Sequence, residues 1–186
     1  MNKTIQISQK SNDAKLTRKK LTDAALPLFL KHGFDGTGIN QILKTASLSK
    51  GAFYHHFSSK NEIYQEVITQ FFLQPIKSLD LDDIKNLPLK LMRKVISDHY
   101  ANLPKLITQN SDISITRYYA AFYEALDRLP DFKLTLNTHY SNLINIIARQ
   151  TNIEREIFPK VASAHAKNII SLLEGQLLLG VLVQKP

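Results

Sequence analysis

One stretch decides the fold of this chain: residues 37–60, TGINQILKTASLSKGAFYHHFSSK. Apolar residues recur at helical spacing in each half of it: Ile39, Ile42, Leu43 and Ala46, then Leu48, Phe53 and Phe57. Ser49 is a preferred N-cap residue, so a second short helix is predicted to begin at Lys50. The stretch therefore predicts two short helices joined by a tight turn, which is a helix-turn-helix.

The second of these helices has the properties of a recognition helix. Its first turn presents unpaired backbone N–H groups and the positive end of the helix dipole, and such a turn enters the major groove in helix-turn-helix proteins. With the two phenylalanines turned inward, a rotation of ~100° per residue places Gly51, Ala52 and His55 outward and Tyr54 and His56 on the flanks. Outward residues can reach base edges, and flanking residues can reach phosphates.

Residues from about 15 to 64 resemble the DNA-binding domain of the TetR family of transcriptional regulators. The matching residues are AALPLFLKHGF at 24–34, Thr37, and SLSKGAFYHHFSSKNEIY at 47–64. The resemblance implies a DNA-contacting set of Thr37, Ser49, Lys50, Gly51, Ala52, Tyr54, His55, His56 and Lys60. Within that set it implies that Lys50 and Gly51 face bases, and that Thr37, Tyr54, His56 and Lys60 hold the DNA backbone. The chain departs from the family pattern at Gly38, Gln41 and Ser47.

The remaining pattern predicts an all-α chain with an N-terminal three-helix DNA-binding domain and a C-terminal helical domain. We expect a disordered basic arm at 1–14, the helix-turn-helix domain at 15–60, and a ligand-binding and dimerisation domain at 61–186. A first helix is predicted over 15–32, kinked at Pro27 and ended by Gly33, with Thr37 capping the next. Ser59 and Glu62 predict a capping box for a fourth helix ending near Pro75. Later helices are predicted at about 87–107, 112–129, 131–151 and 159–183.

Composition limits the function classes. The 186 residues include no cysteine, which excludes disulfides and thiolate chemistry. No apolar run approaches the ~20 residues of a membrane helix, and no signal peptide is evident, so we expect a cytoplasmic location. The net charge of +8 divides into +7 over residues 1–60 and +1 over 61–186. This asymmetry indicates a polyanionic partner, double-stranded DNA, although a solvated basic tail would give the same count.

An aromatic stripe predicts either a core face or a ligand cavity in the second domain. It comprises Ile115, Tyr118, Tyr119, Phe122, Tyr123 and Leu126. The family resemblance favours a small-molecule effector, for which the candidate lining residues are Phe71, Phe72, His99, Tyr100, Arg117, Tyr118, Tyr119, Phe122 and Tyr123. Arg117 would favour an anionic group on that effector.

The final helix is apolar almost all round, so it is either central in the core or shared with a second subunit. In the resembled family the last two helices form the dimer, which implies a homodimer here. The candidate interface residues are Leu143, Ile147, Ile170, Leu173, Leu177, Leu178 and Val181.

These features predict a sequence-specific transcriptional repressor that a small molecule releases from a palindromic operator, with the fourth helix as the lever between the domains. A sequence-independent architectural DNA-binding protein is the alternative. The sequence lacks G-x-S-x-G, H-E-x-x-H and Walker motifs, so we expect neither an enzyme nor a cofactor. His55 and His56 point ~100° apart on a helix, so we expect no metal site.

Overall fold

The computed structural model describes residues 2–108 and 114–182, and all regular secondary structure in those residues is helical. The predicted all-α class is confirmed. The helices are α1 (Asn2–His32), α2 (Ile39–Ala46), α3 (Lys50–His56), α4 (Lys60–Ile68), α5 (Gln74–Lys77), α6 (Leu81–Ile84), α7 (Leu89–Thr108), α8 (Ile115–Arg128), α9 (Pro130–Arg155) and α10 (Pro159–Leu182). None of the described helices has the length and apolar character needed to cross a membrane.

The first helix is longer than predicted. It begins at Asn2, so the expected disordered arm at 1–14 is wrong for the described residues of that segment. No proline or glycine precedes Lys15, so nothing in the local sequence ends the helix there. The helix is continuous across Pro27. It ends as predicted at Gly33, which has φ +72° and whose N–H donates to the Phe29 carbonyl at 2.8 Å.

The helix-turn-helix forms as predicted, with one change of cap. Gly38, not Thr37, caps α2, and its N–H donates to the Gln41 side-chain oxygen at 2.8 Å. Thr37 is fully buried, and its hydroxyl donates to the Gly33 carbonyl at 2.8 Å. Ser47 occupies the turn in the left-handed conformation, with φ 53° and ψ 44°. Ser49 caps α3 by accepting from the Ala52 N–H at 3.1 Å.

The fourth helix begins at the predicted Ser59 cap, with half of the predicted capping box, and the helical run that it starts ends at Lys77, close to the predicted end near Pro75. Ser59 Oγ accepts the Glu62 N–H at 3.2 Å, while the Glu62 carboxylate accepts the N–H and hydroxyl of Ser58, both at 2.7 Å. These bonds to Ser58 hold the pKa of Glu62 below its usual value. A π-helical turn, Thr69–Leu73, then joins α4 to α5. Because π-helical bonding spans five residues, this turn shifts the helical register immediately before Pro75, which has no N–H to donate.

The second domain is built on α7–α10, close to the predicted ranges, and also contains the short α6, which the pattern did not predict. Helices α9 and α10 pack along each other and against α7. Leu143 and Ile147 of α9 are fully buried together with Met92 and Ile96 of α7. Apolar residues from α1 to α10 form one continuous core, so the two domains share buried contacts.

Ser47→Gly is expected to stabilise the protein. A non-glycine residue in the left-handed conformation costs about 1–2 kcal/mol, and the greater freedom of glycine in the unfolded chain offsets part of that gain. We therefore expect the free energy of unfolding to rise by about 0.5–1 kcal/mol, measured by urea denaturation at fixed protein concentration. Gly33→Ala is the opposite case, because Gly33 has φ +72°, and it should lower stability by about 1–2 kcal/mol. A lower stability of the Ser47→Gly protein would contradict this description of the turn.

Candidate nucleic-acid interface and second-domain cavity

The outer face of α3 is open to solvent. Lys50, Gly51, Tyr54 and His55 are exposed, with half of the Tyr54 surface accessible. A Cβ added at Gly51 would meet only Ser49 Oγ, at 3.8 Å. The sequence has no acidic residue from 36 to 61. The face is therefore positively charged, and its first turn can approach another molecule closely.

Three further predicted contacts lie at the edge of this face. Ala52 and His56 are half-buried, and Ser49 is exposed, although its hydroxyl is engaged by the cap. Burial, followed by the charges of His55 and Arg18, lowers the pKa of His56. The lowered pKa favours the neutral form of the His56 ring, and the exposed Lys50 supplies positive charge to this face.

Arg18 of α1 holds the end of the recognition helix. Its Nη1 donates to the His56 carbonyl at 2.8 Å, and its Nε donates to the two Glu66 carboxylate oxygens at 3.1 and 2.9 Å. The guanidinium also lies 4.3 Å from the centre of the Phe57 ring. One side chain thus joins α1, α3 and α4. The sequence analysis missed Arg18. The only signal was one arginine in a lysine-rich run, because the planar guanidinium of arginine matches the geometry of a carboxylate.

Lys60 and Thr37 do not lie where the resemblance placed them. The Lys60 ammonium donates to the carbonyls of Phe34 and Thr37, at 2.8 and 3.1 Å, and lies 4.1 Å from the centre of the Phe34 ring. The Thr37 side chain is fully buried. Its assignment as a DNA contact is therefore wrong, and the primary contacts of Lys60 are internal. Lys60 fastens the start of α4 to the turn that precedes α2.

A small cavity lies among α5, α7, α8, α9 and α10, with a volume of about 40 Å³. The structure brings together four of the predicted lining residues there: Tyr100, Tyr118, Tyr119 and Phe122. It adds two polar residues that the pattern missed, Tyr140 and Glu174, and the apolar Ile76 and Leu103. The sequence pattern did not indicate Glu174, because it lies in the apolar final helix and only its charge distinguishes it from its neighbours.

The other predicted lining residues lie elsewhere. Phe71 and Phe72 pack behind the cavity, with ring centres 6.3 and 5.0 Å from that of Tyr118. His99 is half-buried beside Tyr100, with ring centres 5.5 Å apart. Tyr123 is 60% exposed, and Arg117 borders a hollow between α1 and α8, so their placement in the pocket is wrong. A rotation of ~100° per residue turns both away from Tyr118 and Phe122.

Polar groups form a buried network at this cavity. The Tyr140 hydroxyl donates to Glu174 Oε1 at 2.6 Å, and the Tyr100 hydroxyl lies 3.3 Å from His139 Nε2. Burial raises the pKa of Glu174 and of both tyrosines, and it lowers the pKa of His139. The network therefore has one acidic group and a histidine that is neutral at pH 7.

Helix α8 joins this cavity to the DNA-binding domain. Both Glu124 carboxylate oxygens lie 3.1 Å from the Phe34 N–H, which donates to them. Arg128 forms an ion pair with Asp35, and its guanidinium lies 4.7 Å from the centre of the Phe34 ring. Tyr118 and Phe122, which line the cavity, belong to the same helix. The helix therefore contacts the cavity and the turn after α1.

A larger hollow of about 560 Å³ lies between α7, the end of α9 and α10. Its lining includes Lys90, Arg93, Lys94 and Arg155, all exposed to solvent. Because its charges are hydrated, this hollow is an open basic groove and not an enclosed pocket.

The predicted dimer residues are largely internal. Leu143, Ile147 and Ile170 are buried within the subunit, and Leu173 is half-buried. Leu143, Ile147 and Ile170 are therefore corrected to core residues, and an interface role for the half-buried Leu173 stays a prediction. The side chains of Leu177, Leu178 and Val181 lie outside the described ones. The apolar side chains exposed at the end of α9 and along α10 are instead Ile153, Phe158, Val161 and Leu172, which are 57%, 81%, 54% and 55% exposed.

Comparisons with known proteins agree with this architecture. The family described as bacterial regulatory proteins, tetR family, matches residues 21–67, which span the end of α1, α2, α3 and most of α4. An HTH-type transcriptional regulator in the lacX 3′ region of Lactococcus lactis subsp. lactis is 29% identical over 88% of this chain and 82% of its own. Over residues 21–67 the chain is therefore similar to the tetR family of bacterial regulatory proteins.

Two further relatives define how far the likeness extends. The biofilm operon icaADBC HTH-type negative transcriptional regulator IcaR of Staphylococcus aureus is 37% identical over 27% of each chain. The solved structure of a candidate fatty acid metabolism regulator from Clostridium perfringens covers 90% of this chain and 88% of its own, with a TM-score of 0.61 and 20% identity. The chain therefore shares its fold with this solved structure over most of its length, while the stronger sequence likeness is confined to a short segment.

Lys60→Met and Lys50→Ala are expected to have different effects on this protein. Lys60→Met keeps the apolar stem and removes the donor for two carbonyls, so the free energy of unfolding should fall by about 1–3 kcal/mol. DNA affinity should fall for all sequences alike. Lys50→Ala should leave stability within about 0.5 kcal/mol and relax base preference at one position per half-site by about 1–3 kcal/mol.

Urea denaturation and binding to a panel of operator variants separate these outcomes, with exposed Lys44→Ala as the control. If Lys60→Met only lowered the salt dependence of DNA binding at unchanged stability, the internal role of Lys60 would be refuted.

Proposed function

We propose that this protein is a TetR-family repressor that binds a palindromic operator as a homodimer and is released by a small molecule held in the second domain. The observation that carries the DNA-binding part is the exposed, acid-free outer face of α3, held at its end by Arg18. A relative named as a negative regulator supports the sign of regulation.

The proposed contacts follow from exposure. Lys50 donates to guanine O6 or N7, and Gly51 allows the backbone to approach the base edges. Tyr54 and His55 extend this surface, with the Tyr54 hydroxyl donating to a phosphate oxygen. Lys60 acts indirectly, by fixing α4 against the turn before α2.

The test is a gel-shift titration with the DNA upstream of the gene that encodes the regulator, in the presence of a large excess of unrelated DNA. Specific repressors exceed their own non-specific affinity by about 10³–10⁷-fold at physiological salt. A shift that survives competition supports sequence-specific binding. Loss of the shift at an equal concentration of unrelated DNA would favour the architectural alternative.

The proposed dimer uses the apolar side chains exposed at the end of α9 and along α10. Val161 and Leu172 lie eleven residues apart, which returns to the same side of a helix. Phe158 immediately precedes α10 and is the most exposed of the large apolar residues among the described side chains. A two-fold dimer through this surface would cover them and would present two copies of α3 to successive major grooves.

Val161→Glu is therefore expected to dissociate the dimer and to weaken operator binding by at least about tenfold, because one subunit makes half of the contacts. Sedimentation velocity at micromolar concentration measures the association, and a gel shift measures operator binding. Leu134→Glu is the matched control, because Leu134 is a 64% exposed apolar residue near the opposite end of α9. Dissociation by both variants, or by neither, would argue against this surface.

The proposed switch passes through α8. A ligand that moves the wall formed by Tyr118 and Phe122 also moves Glu124, whose carboxylate holds the Phe34 N–H. The Phe34 carbonyl in turn holds Lys60 at the start of α4. Ligand binding can release DNA only if the ligand favours a form in which the two α3 helices no longer match the DNA spacing. The α8 contact provides a direct route to that form, in addition to the α4 lever.

Glu124→Ala is expected to uncouple the sites. Coupling between an effector and DNA is typically about 5–150-fold in affinity. The ratio of operator affinity without and with inducer should fall towards one, while the inducer affinity itself stays within about threefold. Isothermal titration gives the inducer affinity, and fluorescence anisotropy gives the operator affinity. An undiminished ratio in a folded Glu124→Ala protein would exclude the α8 route.

A further inference from the structure

We propose that the second-domain cavity binds a compact organic cation, whose positive charge lies against the Glu174 carboxylate and the faces of the surrounding aromatic rings. This inference deepens the proposed function, on which it rests for its regulatory meaning. It names the chemical class of the effector.

The charges of the residues that line the cavity favour a cation. Glu174 is the one carboxylic acid among its described lining residues, and none of those residues is a lysine or arginine. In the part of the chain whose side chains are described, Glu174 has no ion-pair partner within 4.0 Å. The Tyr140 hydroxyl, at 2.6 Å, donates a single hydrogen bond to it. A half-buried carboxylate with so little compensation favours a cation over an anion or a neutral molecule.

The neighbouring histidines do not supply the missing charge. Burial lowers the pKa of His139 and of His99, so both rings are neutral at pH 7. Arg117, which could have favoured an anionic ligand, lies outside the cavity at the hollow between α1 and α8. Arg117 therefore gives no reason to expect an anionic effector in this cavity.

The aromatic walls of the cavity also favour a cation. Tyr100, Tyr118, Tyr119, Tyr140 and Phe122 all line it. The faces of aromatic rings attract cations, and groups of such rings recognise quaternary ammonium ions. The volume of about 40 Å³ restricts the ligand to a compact head group unless the walls move. Tyr119 and Phe122 are only half-buried, so they separate the cavity from solvent.

The test uses two probes of matched shape. Choline and its neutral carbon isostere, 3,3-dimethylbutan-1-ol, differ mainly in charge, and tetramethylammonium serves as a smaller cation. Binding to the full chain is measured by isothermal titration at constant ionic strength. Tyrosine fluorescence is a second signal, since the chain has seven tyrosines and no tryptophan. We expect at least one of the two cations to bind at least about tenfold more tightly than the alcohol.

Two variants locate that binding. Glu174→Gln keeps the size and the acceptor for Tyr140 and removes the charge, so cation affinity should fall by at least about tenfold while alcohol affinity is unchanged. Tyr119→Leu removes one aromatic face and should also weaken the cation selectively. Glu156→Gln is the matched control, because Glu156 is exposed between α9 and α10. Circular dichroism and melting temperature show that each variant is folded.

The outcomes are distinct. Failure of both cations to bind at about 20 mM, equal affinity for the alcohol, or undiminished cation affinity in folded Glu174→Gln would each overturn the proposal. Cation binding that requires Glu174 supports it, whatever happens to DNA. If that bound cation leaves operator affinity unchanged, the cation site stands and the proposed inducer release fails.

Discussion

The turn from Gly33 to Thr37 is the constraint on which the rest of the structure depends. The DNA-binding domain holds this turn through Lys60, whose ammonium donates hydrogen bonds to two carbonyls of the turn. The second domain holds it through Glu124, whose carboxylate accepts the Phe34 N–H. The Phe34 ring packs 4.9 Å from Tyr64, between centres, and lies below the Lys60 and Arg128 cations. Charge-assisted hydrogen bonds of this kind are about twice as strong as neutral ones, so the two domains meet at a well-defined point.

The sequence predicted those features that arise from local rules. The helical class, the Ser49 cap and the Gly33 end each depend on residues within about five positions, and periodicity and capping chemistry describe them well. The roles of Lys60 and Thr37 could not be predicted in this way. Lys60 meets carbonyls 26 and 23 residues away, and whether a lysine faces solvent or a carbonyl depends on how three helices pack. The family resemblance suggested phosphate contacts for both residues, but it could not indicate the burial of Thr37.

In the second domain, too, features set by local sequence were predictable and those set by tertiary packing were not. The aromatic stripe on α8 was evident from its spacing, and four of the predicted residues meet at the cavity. Tyr140 and Glu174 come from other helices, and only the tertiary packing brings them to Tyr118. A buried carboxylate bonded to a tyrosine is costly to a fold, and apolar residues of similar volume often stabilise such positions better. Stability alone therefore does not explain a carboxylate at this position, which is why its location in a cavity is informative about ligand chemistry.

The account depends on the outer face of α3 lying in the DNA major groove, and one measurement tests this directly. The chain has no cysteine, so His55→Cys creates a single attachment point for an iron chelate that cleaves nearby DNA. Leu134→Cys provides a control site on α9. The account predicts two clusters of cleavage from position 55, related by a two-fold axis and separated by about one helical turn, 34–36 Å, or a multiple of it. Scattered cleavage along the DNA, or equal cleavage from position 134, would contradict the claim that α3 reads the operator.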